Sequence, residues 1–265
     1  VIVTLSNPTN AVLGSDVSSI VSNGSAFAAI KTDSSVVTWG YADYGGDSSS
    51  VNLSSGVSSI VGTDLAFAAM KTDGSVVTWG RDFYGGDSSS VESSLSSGVS
   101  SIIGTDYAFA AIKTDGSVVT WGYGSNSSDG YNFGGNSASV ADSLTNVSSI
   151  VSTNSAFAAL KEDGSVVTWG FGSNSSDHSN YGGDSSSVAS SLSSGVSSIV
   201  GAKYAFAALK TDGSVVTWGH SSSGGDSSGV ASSLTSGVSS IVSAGEAFAA
   251  LKEGGSVVTW GSSAN

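Results

Sequence analysis

The sequence predicts an all-β fold, a β-propeller of six four-stranded blades. Three observations carry this. A segment close to AFAAxKxDGSVVTWG recurs six times, its Trp falling at Trp39, Trp79, Trp121, Trp169, Trp218 and Trp260, at intervals of 40, 42, 48, 49 and 42 residues. A VSSIV or VSSII run precedes every copy, beginning at Val17, Val57, Val99, Val147, Val196 and Val238. The apolar runs are short and bounded by turn-forming residues, with no helical periodicity. Short strands repeating at 40 to 49 residues match a propeller blade.

The elements follow in order. Residues 1–16 precede the first repeat; Val1 to Leu5 aligns with VVTW and is expected to close the ring against the last blade. As the remnant of a further unit it leaves seven blades as the alternative. Within each repeat VSSIV is a first strand, β-branched and flanked by turn formers. AFAALK is the second strand and SVVTWG the third, joined by Thr-Asp-Gly or Glu-Asp-Gly in four repeats, where Gly accepts a positive φ without a Cβ clash. A GGDSSSV-like stretch, at Gly45, Gly85, Gly134, Gly182 and Gly224, offers a weaker fourth strand. The repeats end near Gly40, Gly80, Gly122, Gly170, Gly219 and Gly261 and extend over residues 17–265, so one domain is expected.

Sidedness agrees with radial packing. Val37 and Trp39 occupy one face of the third strand and Val36 the other; Phe27 and Ala29 oppose Ala26, Ala28 and Ile30 in the second. A strand apolar on both faces must be covered on both. An α-solenoid would need a 3.6-residue period, and the rungs of a parallel β-helix are usually shorter than this repeat.

The unit from Ser97 to Gly122 resembles the repeats of the regulator-of-chromosome-condensation propeller family, and looks closest to its compact bacterial members, the propeller-type β-lactamase inhibitors. The pattern is carried by Ile60, Ala69, Met70, Asp73, Gly74, Trp79 and Gly80 and their counterparts in the other repeats. The chain departs from it at Ala26, Ala66, Ala108, Ala156, Ala205 and Ala247, where the family usually has His, and in Tyr-Gly-Gly-Asp where Gly-Gln-Leu-Gly is usual. The resemblance implies a propeller, most often seven-bladed in that family, that binds proteins through a face; some relatives are exchange factors.

Composition excludes several functions. The 265 residues include 36 Gly, 65 Ser, one Pro, two His and no Cys, with a formal net charge of −13. There is no disulfide framework, thiolate metal site or cysteine nucleophile, and too few cations for a phosphate-binding surface, so nucleic acid is not an expected partner. No apolar run is long enough for a membrane-spanning helix. Six Lys occupy one repeat position (Lys31, Lys71, Lys113, Lys161, Lys210, Lys252), where each is expected to cover apolar surface with its stem and meet the turn Asp. Asp47, Asp87, Asp184 and Asp226 could offer calcium oxygens but read better as Asx turns. No nucleophile–base–orienter set is suggested. No catalytic residue, cofactor or metal site is therefore predicted.

The candidate binding residues lie in two insertions, Tyr123 to Phe133 and Phe171 to Tyr181, which share GSNSSD. Insertions in repeat proteins map to one face, often the binding face. Tyr123, Asn126, Tyr131, Phe133, Phe171, Asn174, His178 and Tyr181 combine amphipathic aromatics with small polar groups, suited to a protein partner or a glycan. Packing back on the blade edge is the competing reading, since Phe83 and Tyr84 stand at the equivalent place without an insertion. The expected function is a non-enzymatic structural or protein-interaction propeller in an extracellular or cell-surface assembly. The alternative is a soluble inhibitor-like or glycan-binding module using one face.

Overall fold

The computed structural model describes residues 5–6, 16–124, 130–172 and 180–262. The chain divides by its internal contacts into two compact units, Val1–Asn136 and Ser137–Asn265. Unit 1 holds a two-residue strand β1 (Leu5–Ser6) and three antiparallel sheets. Sheet I is β2 (Val17–Ser22), β3 (Ala26–Lys31) and β4 (Val36–Gly40); sheet II is β5 (Val57–Gly62), β6 (Ala66–Lys71) and β7 (Val76–Gly80). Sheet III is β8 (Val99–Gly104), β9 (Ala108–Lys113) and β10 (Val118–Gly122). Unit 2 holds sheet IV, β11 (Val147–Ser152), β12 (Ala156–Lys161) and β13 (Val166–Gly170), and sheet V, β14 (Val196–Gly201), β15 (Ala205–Lys210) and β16 (Val215–Gly219). Its sheet VI is β17 (Val238–Ala244), β18 (Ala247–Lys252) and β19 (Val257–Gly261).

Register explains the repeat. Phe67 pairs with Trp79 across β6 and β7, and the rings stack at 5.3 Å between centroids; the other five repeats stack the same pair at 5.2–5.4 Å. Facing them lie the alanines of the preceding sheet. Between sheets I and II, Val21, Ala26, Ala28, Ile30 and Val36 meet Ile60, Phe67, Ala69 and Trp79. The same arrangement recurs between II and III, IV and V, and V and VI. Burying one such Phe contributes about 1.5–3 kcal/mol. Indole N–H groups add a link between repeats: Trp79 Nε1 donates to the Gly45 carbonyl at 3.0 Å, and Trp121, Trp218 and Trp260 donate to Gly85, Gly182 and Gly224 at 3.1 Å. Gly45, Gly85, Gly182 and Gly224 have no room for a side chain: a Cβ on Gly85 would stand 2.5 Å from the Phe109 ring.

Three expectations are corrected. The repeats give three-stranded sheets rather than four-stranded blades, because the DSSSV stretch is not extended. Asp47, Asp87, Asp184 and Asp226 each accept the backbone N–H two residues on, at 2.8–2.9 Å, curling the chain into an Asx turn. Short 3-10 helices of three or six residues follow at Ser89–Val91, Ala138–Ser143, Ser186–Val188 and Ser228–Ser233. A leucine then plugs the core: Leu53, Leu95, Leu144, Leu192 and Leu234 are 1–3% exposed. The carbonyls of Leu53, Leu192 and Leu234 take the N–H of Val36, Val166 and Val215 at 2.9 Å, so the segment is tied to the third strand.

The N-terminal strand is the second correction. Leu5 and Ser6 pair in parallel with Trp39 and Gly40, on the open edge of sheet I rather than against the last sheet. That edge offers unpaired backbone groups close in sequence, which any extended segment can satisfy. Residues 1–4, expected in the same strand, lie outside the described residues. The third concerns the repeated Lys. Lys113 Nζ donates to the carbonyls of Ser94 and Ser97, Lys210 to that of Ser191 at 2.8 Å, and Lys252 to those of Ser233 and Ser236. Lys31 pairs with Asp16 at 2.7 Å, not with its turn Asp. The turn carboxylates are instead occupied by the following serine: Asp33, Asp73, Asp115, Asp163 and Asp212 each accept its N–H at 2.9 Å and its hydroxyl at 2.6 Å.

Candidate functional site: an aromatic end of the sheets

Three repeat positions meet at one end of sheets I to V, and sheet VI has the third of them. One follows the Trp-Gly (Tyr41, Arg81, Tyr123, Phe171, His220), one precedes the Gly-Gly pair (Tyr44, Tyr84, Phe133, Tyr181, Ser223), and one lies in the turn before the second strand (Ser25, Leu65, Tyr107, Ser155, Tyr204, Glu246). Backbone bonds join the first to the third: Tyr123 N–H to the Tyr107 carbonyl at 3.1 Å and His220 N–H to that of Tyr204 at 2.9 Å. Side chains of the same turn fix the second, since Thr63, Thr105 and Thr153 donate to the carbonyls of Tyr84, Phe133 and Tyr181 at 2.9, 3.3 and 3.0 Å. Aromatic residues remote in sequence are thereby held on rigid backbone.

In unit 1, Tyr107 is the hub. Its ring lies 4.7 Å from Phe133, 5.4 Å from Tyr84 and 6.3 Å edge-on to Tyr123. Tyr123 and Phe133 meet at 4.9 Å; Tyr131 and Phe83 extend the group, 6.1 Å from Phe133 and 6.4 Å from Tyr123. Beside it Tyr41 stacks on Tyr44 at 4.5 Å, with the Arg81 guanidinium 5.6 Å above the Tyr44 ring. Tyr41, Phe83 and Tyr131 are 58%, 59% and 39% exposed. Asn132 braces the loop, accepting Gly134 N–H at 3.0 Å and donating to the Asn136 carbonyl at 2.6 Å.

Unit 2 carries its own group. Tyr181 stacks between Phe171 (4.8 Å) and Tyr204 (4.5 Å), with the His220 ring 5.6 Å away. Lys203 Nζ sits 5.0 Å from the centre of the Tyr204 ring and pairs with Glu246 at 3.1 Å; the hydrogen bond and charge of Glu246 raise the Lys203 pKa. Asn180 braces Gly182 as Asn132 braces Gly134, at 2.9 Å.

Of the residues predicted from the sequence, the structure brings Tyr123, Tyr131 and Phe133 together in unit 1, and Phe171 and Tyr181 in unit 2. Phe171 is 7% exposed and stacks on Tyr181. Asn126, Asn174 and His178 lie outside the described residues. Sequence reasoning missed Tyr107, Tyr204 and His220. The signal was available: the antiparallel hairpin sets the residue before AFAA beside the residue after Trp-Gly.

No protein-family model matches the chain, and no curated protein matches it in sequence. Among solved structures, yeast RCC1 (Prp20) bound to Kap60 is similar with a TM-score of 0.50 at 15% identity, over 92% of this chain and 70% of that one. Prp20p of Saccharomyces cerevisiae, described with its binding to Gsp1p and histones, gives 0.50 at 17% identity, over 92% and 71%. The receptor kinase CR4 ectodomain of Physcomitrella patens gives 0.48 at 14%, over 93% of this chain and 62% of that chain, so this chain spans less than two thirds of its length. At these identities the likeness shows the fold alone, an RCC1-like propeller fold.

Proposed function

We propose that the chain is a non-enzymatic protein-interaction module that meets its partner with the aromatic end of its sheets, as a subunit of an extracellular or cell-surface assembly. The observation that carries this is the exposure of Tyr41, Phe83 and Tyr131 against the backbone-braced rings of Tyr44, Tyr123 and Phe133. Such rings offer large amphipathic area and lose little freedom on binding. Within the candidate set, Tyr123, Tyr131 and Phe133 are the contact residues of unit 1 and Phe171 and Tyr181 those of unit 2, with Asn126, Asn174 and His178 in the same loops. RCC1-like propellers of yeast bind proteins, Kap60, Gsp1p and histones among them, and a protein partner here extends that fold-level analogy.

The test places a photo-crosslinking residue at Phe83, Tyr131 or, at the other end of the sheets, Lys71, and exposes the chain to extracts and surfaces of its native source. One protein adduct at the first two positions and none at the third is expected, with Phe83→Ser plus Tyr131→Ser weakening that binding at least tenfold (about 1.4 kcal/mol). Adducts without preference between the ends, or glycan-array binding abolished by the same pair, would overturn the reading.

A further inference from the structure

The two aromatic groups make opposite provision for charge. Unit 2 seats a cation of its own: Lys203 Nζ stands 5.0 Å from the centre of the Tyr204 ring and pairs with Glu246 at 3.1 Å. A tyrosine face beside a carboxylate therefore already holds a cation in this fold. Unit 1 has more aromatic rings and the reverse charge. At the repeat position of Lys203, sheets II and III carry Asp64 and Asp106, the latter next in the chain to Tyr107.

Two further carboxylates, Asp43 and Asp82, stand exposed on the short 3-10 helices Ala42–Tyr44 and Asp82–Tyr84, next in the chain to Tyr44 and Phe83. Among the described residues neither side chain is held in an ion pair or a hydrogen bond. Burial raises the pKa of Asp64, with no positive charge to offset it. Against these four carboxylates the end has one cation among the described residues, Arg81, which lies over the Tyr44 ring. Lys31, Lys71 and Lys113 close the second strands of sheets I to III, at the opposite end.

Building on the protein-interaction reading, we propose that the aromatic end of unit 1 receives an arginine-rich segment of the protein partner, its guanidinium groups lying on Tyr41, Phe83 and Tyr131 with Asp43 and Asp82 as counter-charges. A guanidinium suits this surface because its plane stacks on a ring while its edge meets a carboxylate. Charge singles out the occupant. A nucleic acid or an anionic lipid surface is repelled by a chain of net charge −13. A second copy carries that same charge and has few cations to give. Lys31 and Lys203 pair with carboxylates, Lys113, Lys210 and Lys252 hold carbonyls, and Arg81 covers Tyr44. A neutral segment would desolvate the carboxylates beside the rings without compensation.

Fluorescence anisotropy with a labelled Arg-Gly-Ser repeat peptide tests this, the same peptide with citrulline in place of arginine being the neutral control. The wild type is expected to bind the arginine peptide at least about tenfold more tightly than the citrulline peptide. Asp43→Asn with Asp82→Asn is expected to weaken the arginine peptide about tenfold, and Phe83→Ser alone about fivefold. Glu162→Gln with Glu253→Gln removes the same charge from the hairpins at the Lys end of sheets IV and VI, and should change binding by less than about twofold. All five sites are exposed, and circular dichroism confirms that each variant folds. Equal affinity for the two peptides, equal losses from the two double variants, or undiminished binding by Phe83→Ser would overturn the proposal. Crosslinking at Phe83 and Tyr131 needs no basic partner. An adduct there beside equal peptide affinities would overturn the arginine-rich segment and leave the protein-interaction reading standing.

Discussion

Serine accounts for 65 of the 265 residues, and at the residue scale its repeated positions have distinct tasks. The first Ser of VSSI sits at a register shift between the first and second strands, a bulge that leaves it unpaired in the ladder. Its hydroxyl compensates by donating across the pair: Ser58 to the Met70 carbonyl at 2.9 Å and Ser100 to Ile112 at 3.0 Å, with Ser18, Ser148, Ser197 and Ser239 alike. Another serine, Ser48, Ser88, Ser185 or Ser227, bonds the Thr of VVTW at 2.9–3.0 Å. One serine is out of place. Ser34 adopts φ 63° where Gly74, Gly116, Gly164 and Gly213 stand at 75–77°. A left-handed residue with a Cβ costs about 1–2 kcal/mol, partly offset by the flexibility glycine adds to the unfolded chain. Ser34→Gly is therefore expected to stabilise the fold by about 1 kcal/mol, read as a shift in urea midpoint with unchanged slope.

At the scale of the element, the hairpin between second and third strands is a charged device. In Asp33, Asp73, Asp115, Asp163 and Asp212 the carboxyl pKa is lowered, first by the serine hydroxyl and then by the serine N–H. In Asp47, Asp87 and Asp226 the backbone N–H of the Asx turn is the main cause. A folded-state pKa below the unfolded value, near 3.9, contributes stability that is present above that pH and lost as pH falls through the folded pKa. Asp64 runs the other way, raised by burial. With eight carboxyls lowered against this one raised among the described residues, Tm is expected to be level from neutral pH to about 5 and to fall below about pH 4. Asp115→Ala should flatten the fall, measured as Tm against pH; an acid slope unchanged by the substitution would count against the hairpin's part in it.

At the scale of the whole molecule, sheets are joined by aromatic stacks and by one indole bond per interface. Trp218→Phe keeps a ring against Phe206 but leaves the Gly182 carbonyl without its donor and removes core volume. A loss of about 2–3 kcal/mol is expected by chemical denaturation. Much of this architecture was legible beforehand. AFAA, Asp-Gly and VVTWG pair in the register their alternation demands, and the aromatic ends of the insertions do come together within each unit. What was not legible has a common cause. The DSSSV stretch has strand-like composition, yet the Asp47 carboxylate captures a backbone N–H two residues away, a local competition that alternation cannot reveal. Lys210 and Lys252 bond the carbonyls of Ser191 and Ser233 and Lys31 bonds Asp16, partners remote in sequence that proximity to the turn Asp cannot reveal. Tyr107 and Tyr204 joined the aromatic groups because a hairpin makes neighbours of residues about 16 positions apart, Tyr107 beside Tyr123 and Tyr204 beside His220. By itself the sequence determined the strands, their turns and which residues face a core, since these follow from spacing and from the steric freedom of Gly. Only the tertiary structure decided which apolar residues are covered and which stand exposed. Coverage depends on a neighbouring repeat: Phe83, 59% exposed, adjoins Tyr84, whose ring packs on Tyr107.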